Sequence, residues 1–377
     1  MSSEFDEHAY KRINRRKTTV CTVGGLKIGG DHPIRVQTML NTLTTDIKSS
    51  VQQIRDCVTA GAEIIRISVP DSESSAALKE IIHIIKSEQI GYDTLGCVVP
   101  IIADIHFHYK RGIEACESGA SCTRINPGNI GTVDRAREIV KACKDYGSSI
   151  RIGVNSGSID TRILDKYKSP CPEALVESAL ESVKTLEDIG FYNFKISVKA
   201  SDVMMMIKAY ELLALKCDYP FHLGVTEAGP AFSGTIKSAI GLGSLLTRGI
   251  GDTIRISLSA PPQDEPRVGW EVLKSLGIRT RGVNIISCPS CARQQFDVIN
   301  VVSEIEKATA HITKPIKISM LGCVVNGLGE AKESDIGITG AGSGNHLIYL
   351  YGEPHEKATS EDLVEKILKI IREKLIA

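Results

Sequence analysis

The stretch SCTRINPGNIGTVDRAREIVKACKDYGSSIRIGVN (121–155) decides the fold. It holds two short β-rich runs, SCTRINP (121–127) and SIRIGVN (149–155), with a helical pattern between them. A strand, a helix and a second strand in that order make the two strands parallel. The unit recurs on both sides. Before it come IRVQTM (34–39), EIIRISV (63–69) and VVPIIADIHF (98–107); after it come FKISVKA (194–200), FHLGVTEA (221–228) and TIRISLS (253–259). Intervals such as SSVQQIRDCVTAG and EALVESALESVKTLEDIG are amphipathic, and each closes on the glycine expected just past a helix. Eight such runs predict an α/β chain whose residues 1–279 form a (β/α)8 TIM-type barrel. The hairpin-like VCTVGGLKIGG (20–30) precedes the first run and is expected to plug the bottom of the barrel.

The polar residues of these runs are unevenly placed. Arg66, Asp104, His106, Arg124, Arg151, Asn155, Lys199, Glu227, Arg255 and Ser257 lie within the strands or at their C-terminal ends. Charge inside a barrel is costly unless it lines the mouth, where barrel enzymes carry their chemistry. Four arginines and a lysine converging there predict an anion site, and the guanidinium fork suits phosphate oxygens. Asp104-x-His106-x-His108 alternates onto one face, as some metal-binding barrels do. The later strands add no suitably placed histidine, which favours Asp104 and His106 as hydrogen-bonding groups at the substrate.

Lys+Arg and Asp+Glu each number 45, so the chain has no net bias toward nucleic acid or acidic membranes. No apolar run reaches the roughly 18 residues of a membrane helix. The polar start MSSEFDEHAYKRINRRK contains acids and resembles neither a secretory signal nor a transit peptide. A cytosolic protein without nucleic-acid or membrane partners is expected, with Lys11–Lys17 as a solvated arm. Eleven cysteines do not read as a disulfide framework; Cys57, Cys116, Cys143 and Cys217 look like small buried apolar residues.

Past Pro261-Pro262 the pattern changes. VNIIS, IKISM, DIGIT and HLIYL, with two helices, predict a small α/β domain over 280–377. Cys288-x2-Cys291 ends one strand and opens a helix, and Cys323 ends the next strand within a glycine-rich loop. Thiolates on strand-end loops can share one metal centre. A redox dithiol would not require Cys323, and structural zinc needs a fourth ligand such as His311. No fourth cysteine follows. Glu330, on the glycine-rich loop after Cys323, could take that place on one iron of a 4Fe–4S cluster, as a weakly matched and exchangeable ligand.

CPSCARQQFDV, LGCVVNGLGEAKESDIGI, ADIHF, RINPGN, RIGVNSGSI and LGVTEAGP closely resemble the IspG (GcpE) family of 4-hydroxy-3-methylbut-2-enyl diphosphate synthases, in its shorter two-domain bacterial form. The resemblance spans about residues 17–355. It implies reductive ring opening of 2-C-methyl-D-erythritol 2,4-cyclodiphosphate with loss of water, in the methylerythritol phosphate route to isoprenoids. It further implies a 4Fe–4S cluster on Cys288, Cys291, Cys323 and Glu330, fed by flavodoxin or ferredoxin, with substrate displacing Glu330. Arg66, Arg124, Arg151, Lys199, Arg255, Ser257 and His106 would bind the substrate. Glu227 would act as the acid, with Asn155 and Asp104 nearby. A head-to-tail homodimer is implied as well, the cluster domain of one copy covering the barrel of the other.

Overall fold

The structure, a computed structural model, describes residues 13–106, 108–126, 132–342 and 344–376. Lys11 of the basic arm, Phe107 of ADIHF and the PGN of RINPGN lie outside the described residues. Two compact units divide between Arg279 and Thr280.

In the first unit, β1 (Cys21–Val23) and β2 (Leu26–Ile28) form the antiparallel hairpin. Cys21, Val23, Leu26 and Ile28 pack against Ile64, Ile102 and Cys122, at the starts of three barrel strands, so the hairpin seals the N-terminal end. The barrel runs β3 (Arg35–Met39), β4 (Ile64–Ser68), β5 (Ile101–Asp104), β6 (Cys122–Ile125), β7 (Ser149–Asn155), β8 (Phe194–Lys199), β9 (His222–Leu223) and β10 (Thr253–Ile254). Neighbours pair in parallel in the order β8-β7-β6-β5-β4-β3-β10-β9, and a parallel bridge between Ile196 and Phe221 closes the ring. Capped helices follow the strands; Asp46, Asp71 and Asp202 each accept an N-terminal backbone N–H of their helix.

FHLGVTEA and TIRISLS, expected as full strands, pair regularly over two residues each. Past Leu223 and Ile254 the regular pairing stops: the Arg255 N–H still donates to the Leu223 carbonyl, but the Leu258 N–H goes to the Glu265 carboxylate. Glu227, Arg255 and Ser257 therefore sit on mouth segments beyond the strands. The solvated-arm expectation fails at Arg15 and Arg16. Arg15 pairs with Asp252 at 2.8 Å; Arg16 donates to the carbonyls of Cys217 and Tyr219 and lies over the Phe221 ring. Buried acceptors and an aromatic face dock these two guanidinium groups, while Lys17 stays exposed. Cys217 is half-buried rather than buried.

The second unit is one five-stranded sheet in the order β11 (Val283–Ser287), β12 (Ile316–Leu321), β13 (Ile336–Gly340), β14 (Asn345–Leu350) and β15 (Glu353–Thr359). The first three strands are parallel and the last two antiparallel. Helices Val298–Thr309, Val324–Lys332 and Leu363–Ile370 accompany it, with Ile305, Ile318, Ile338 and Ile367 in the core. The edge strand β15 escapes sequence reading because EPHEKAT is charged and exposed, the composition that protects a free sheet edge.

Candidate active site

Strand register assembles the mouth of the barrel. Asp104, Arg124 and Arg151 stand side by side on β5, β6 and β7, and Asn155 stands beside Lys199 of β8. Asp104 is 1% exposed. Its carboxylate lies 3.7 Å from Arg66 Nε, 3.4 Å from Arg124 Nη1 and 3.6 Å from His106 Nε2. Opposite, Arg255 Nε and Nη2 each reach a Glu265 oxygen at 3.1 Å. Arg66, Arg124, Arg151, Lys199 and Arg255 are close enough to raise one another's electrostatic cost, against the two buried carboxylates Asp104 and Glu265. Ser257 is half-buried next to this group in sequence, and Glu227 is exposed on its mouth segment with a left-handed backbone, φ +52°.

Two glycines make room for the cations. A Cβ at Gly153 would run into the Arg124 guanidinium, and one at Gly224 would come within 2.7 Å of Lys199 Nζ. Arg151 is 1% exposed, yet among the described residues its Nε and Nη1 have no hydrogen-bond partner, and neither has Arg124 Nε. A buried guanidinium left short of acceptors is costly, and an anion with several oxygens is the group that satisfies it. Burial first, then the neighbouring cations, push the Lys199 amine well below its ordinary value.

Burial alone would raise the Asp104 pKa, but Arg66, Arg124, His106 and Arg151 outweigh it and hold the carboxyl at about 2. Against an unfolded value of about 3.9, the ion pairing contributes on the order of 2–3 kcal/mol at neutral pH. Because the folded pKa is the lower one, this stability is complete above the unfolded value and disappears as pH falls through the folded one. Urea unfolding of wild type and Asp104→Asn is therefore expected to differ at pH 7, with the gap closing as pH falls from about 4 toward 2. A gap that does not change with pH would contradict this account of Asp104.

In the second unit, Cys288 follows β11 directly and Cys323 lies two residues past β12, so both stand at the C-terminal ends of adjacent parallel strands. The Gly322 N–H donates to Cys288 Sγ at 3.3 Å. Cys323 is the N-cap of helix Val324–Lys332, the positive end that favours a thiolate ligand. Cys291 is exposed; its thiol is drawn below the ordinary value by hydrogen bonds from the Arg293 backbone and side chain. Two expectations need correction. Cys291 lies on a turn and opens no helix, since the next helix begins at Val298. Glu330 lies on a helix and not on a loop: Gly327 is helical and packs directly on Thr339 of β13, which explains a glycine where the sequence suggested a loop.

Glu330 follows Cys323 by seven positions, Cys323 as the extended N-cap and Glu330 within the helix. His311, the alternative zinc ligand, is exposed. Among the described residues, no three His, Cys, Asp or Glu side chains converge as they would on a single metal ion. A four-iron cluster takes one ligand on each iron, so its ligands stand apart around a cube. Three free thiols, at two strand ends and on a turn, and a helix carboxylate suit that arrangement.

Two residues missing from the sequence reading shape the mouth. Glu265 also accepts from Thr38 Oγ1 at 2.7 Å, and Arg66 Nε reaches Met39 Sδ at 2.9 Å, with Arg255 Nη1 at 3.8 Å from the same sulfur. Glu265 opens a helix after Pro261-Pro262, where an acid reads as ordinary helix-start chemistry. Met39 gives no signal of a polar role.

The sequence pattern of the GcpE TIM-barrel domain matches residues 18–270, and that of the GcpE protein C-terminal domain matches 284–373. The chain belongs to the GcpE family. A GcpE relative from Granulibacter bethesdensis is 54% identical over 97% of this chain and 91% of its own length. Another, from Rhodospirillum rubrum, is 54% identical over 97% and 93%. Both are named 4-hydroxy-3-methylbut-2-en-1-yl diphosphate synthase (flavodoxin). A Plasmodium falciparum HPPK-DHPS variant with pterin and p-hydroxybenzoate is similar at TM-score 0.50 and 14% identity, over 69% of this chain and 48% of that one. It shares the fold alone. Among the described residues, no helix is long and apolar enough to cross a membrane.

Proposed function

We propose that this chain is a 4-hydroxy-3-methylbut-2-en-1-yl diphosphate synthase of the methylerythritol phosphate pathway. It opens the ring of 2-C-methyl-D-erythritol 2,4-cyclodiphosphate with two electrons and two protons and releases one water. The observation that carries the reading is the buried cation group at the barrel mouth, above all Arg151, two of whose guanidinium nitrogens lack an acceptor among the described residues. Arg66, Arg124, Arg151, Lys199, Arg255 and Ser257 hold the diphosphate, and Asp104 and Glu265 fix the arginine forks. His106 and Asn155 bound the same space.

Cys288, Cys291, Cys323 and Glu330 are the residues suited to a 4Fe–4S cluster. Such a group, when bound, supplies electrons one at a time and a Lewis-acidic iron, with flavodoxin or ferredoxin as donor. Glu227 carries the proton that leaves with the hydroxyl as water. The bacterial cytosol, whose reducing poise keeps thiols free, is the compartment this chemistry suits.

Anaerobic calorimetry tests the anion site without turnover. Arg151→Met is expected to weaken binding of the cyclodiphosphate by roughly a hundredfold or more. A bound anion offsets the cations that depress Lys199, so wild type is expected to take up protons on binding, read from buffers of different ionisation enthalpy. Unchanged affinity in Arg151→Met would remove the barrel mouth from substrate binding.

The same reading assembles the chain as a head-to-tail homodimer, the thiolate unit of one copy serving the barrel of the other. Inactive Glu227→Gln and Cys323→Ser chains, unfolded together and reassembled, should then recover about a quarter of wild-type turnover. No recovery in a dimer that has exchanged subunits would show that each chain serves itself.

A further inference from the structure

We propose that Cys116 and Cys143, two buried thiols that the reaction does not use, are a modification site that forms a reversible disulfide with hydroperoxides. The two lie on helices Tyr109–Glu117 and Val133–Tyr146, and their sulfurs are 3.6 Å apart. That is van der Waals contact, about 1.5 Å beyond the ~2.05 Å of a disulfide.

The surroundings divide the roles between the two sulfurs. Cys116 Sγ is also 3.5 Å from Thr123 Oγ1. Hydrogen bonds from Cys143 above all, with Thr123 and Ser148, draw the Cys116 thiol below its ordinary value against its burial. The same contact pushes the Cys143 thiol up. Cys116, the sulfur with the additional Thr123 hydroxyl beside it to stabilise a thiolate, is the nucleophile and Cys143 the resolving thiol. Burial pushes the thiols of Cys21 and Cys57 up to about 12, and these two remain inert.

The chemistry needs one hydroperoxide per bridge. The Cys116 thiolate attacks the peroxide, its O–O bond breaks, and Cys116 becomes a sulfenic acid while the peroxide leaves as water. Cys143 sulfur then displaces that hydroxyl, which departs as a second water when it takes the Cys143 proton. In sum, two thiols and one hydrogen peroxide give one disulfide and two waters. Both sulfurs are fully buried, so the bridge forms at the rate of local opening, and a thiol reductant reverses it.

The test treats the full-length, anaerobically purified protein with hydrogen peroxide over a time course. Acid quenching, alkylation of free thiols and peptide mapping without reduction follow. The expected result is a cross-linked peptide pair joining Cys116 to Cys143, lighter by two hydrogens than its parts and reversed by dithiothreitol, with Cys57 still alkylated. In Cys143→Ala, dimedone should trap a sulfenic acid at Cys116. The proposal is overturned if both residues stay alkylated after Cys288 and Cys291 have been oxidised. A bridge from Cys143 to Cys122 instead would overturn it too. The wild-type map decides the matter even if a variant fails to fold.

Discussion

Cys323→Ser is expected to lose its iron and its visible colour together, and turnover should fall by more than about a hundredfold. A serine hydroxyl keeps the size of the thiol but offers a hard oxygen where an iron–sulfur centre wants sulfide-like donors. The residue caps helix Val324–Lys332 and stands beside Gly322, whose N–H is already committed to Cys288, so the change touches this centre and little else. The barrel lies in the other unit, and cyclodiphosphate affinity measured by calorimetry should stay close to wild type. If Cys323→Ser keeps full iron content, the third ligand lies elsewhere.

The second large effect concerns Glu227. Replacement by glutamine preserves shape and hydrogen bonding while removing the proton the carboxyl can donate. Turnover should drop by about 10²–10⁴, the usual worth of a positioned acid, with iron content and KM nearly unchanged. The backbone supports a functional role. Glu227 holds a left-handed conformation, φ +52°, that non-glycine residues adopt at a cost, and it does so on an exposed segment of the mouth. Wild-type turnover in Glu227→Gln would take the acid role away from it.

The barrel is legible because β3 to β8 are short β-rich runs, Ile/Val-dense in β4, β5, β7 and β8, with amphipathic stretches between them. The last two strands were overread for the same reason. Val225, Ile256 and Leu258 look like strand residues, but they lie past the regular pairing, and the Leu258 N–H goes to Glu265. Cations stood out singly, since an arginine inside a β run is conspicuous. Their carboxylate partners did so only when they sat in a strand, which is why Asp104 was found and Glu265 was not. Arg15 and Arg16 misled because a basic run looks solvated until its acceptors, Asp252 and the carbonyls of Cys217 and Tyr219, are in place. Glu330 reads as a loop residue because two glycines close together outweigh helix propensity locally, and only the packing of Gly327 on Thr339 shows why the helix needs one.

The central claim joins a diphosphate-binding barrel to a thiolate-held cluster for one reduction. Anaerobic incubation of the iron–sulfur-loaded chain with 2-C-methyl-D-erythritol 2,4-cyclodiphosphate and a strong one-electron reductant tests it most directly, following the diphosphate product. The account predicts one 4-hydroxy-3-methylbut-2-enyl diphosphate formed for every two electrons consumed. Tight binding of the cyclodiphosphate without product, or a colourless chain that holds zinc, would contradict it.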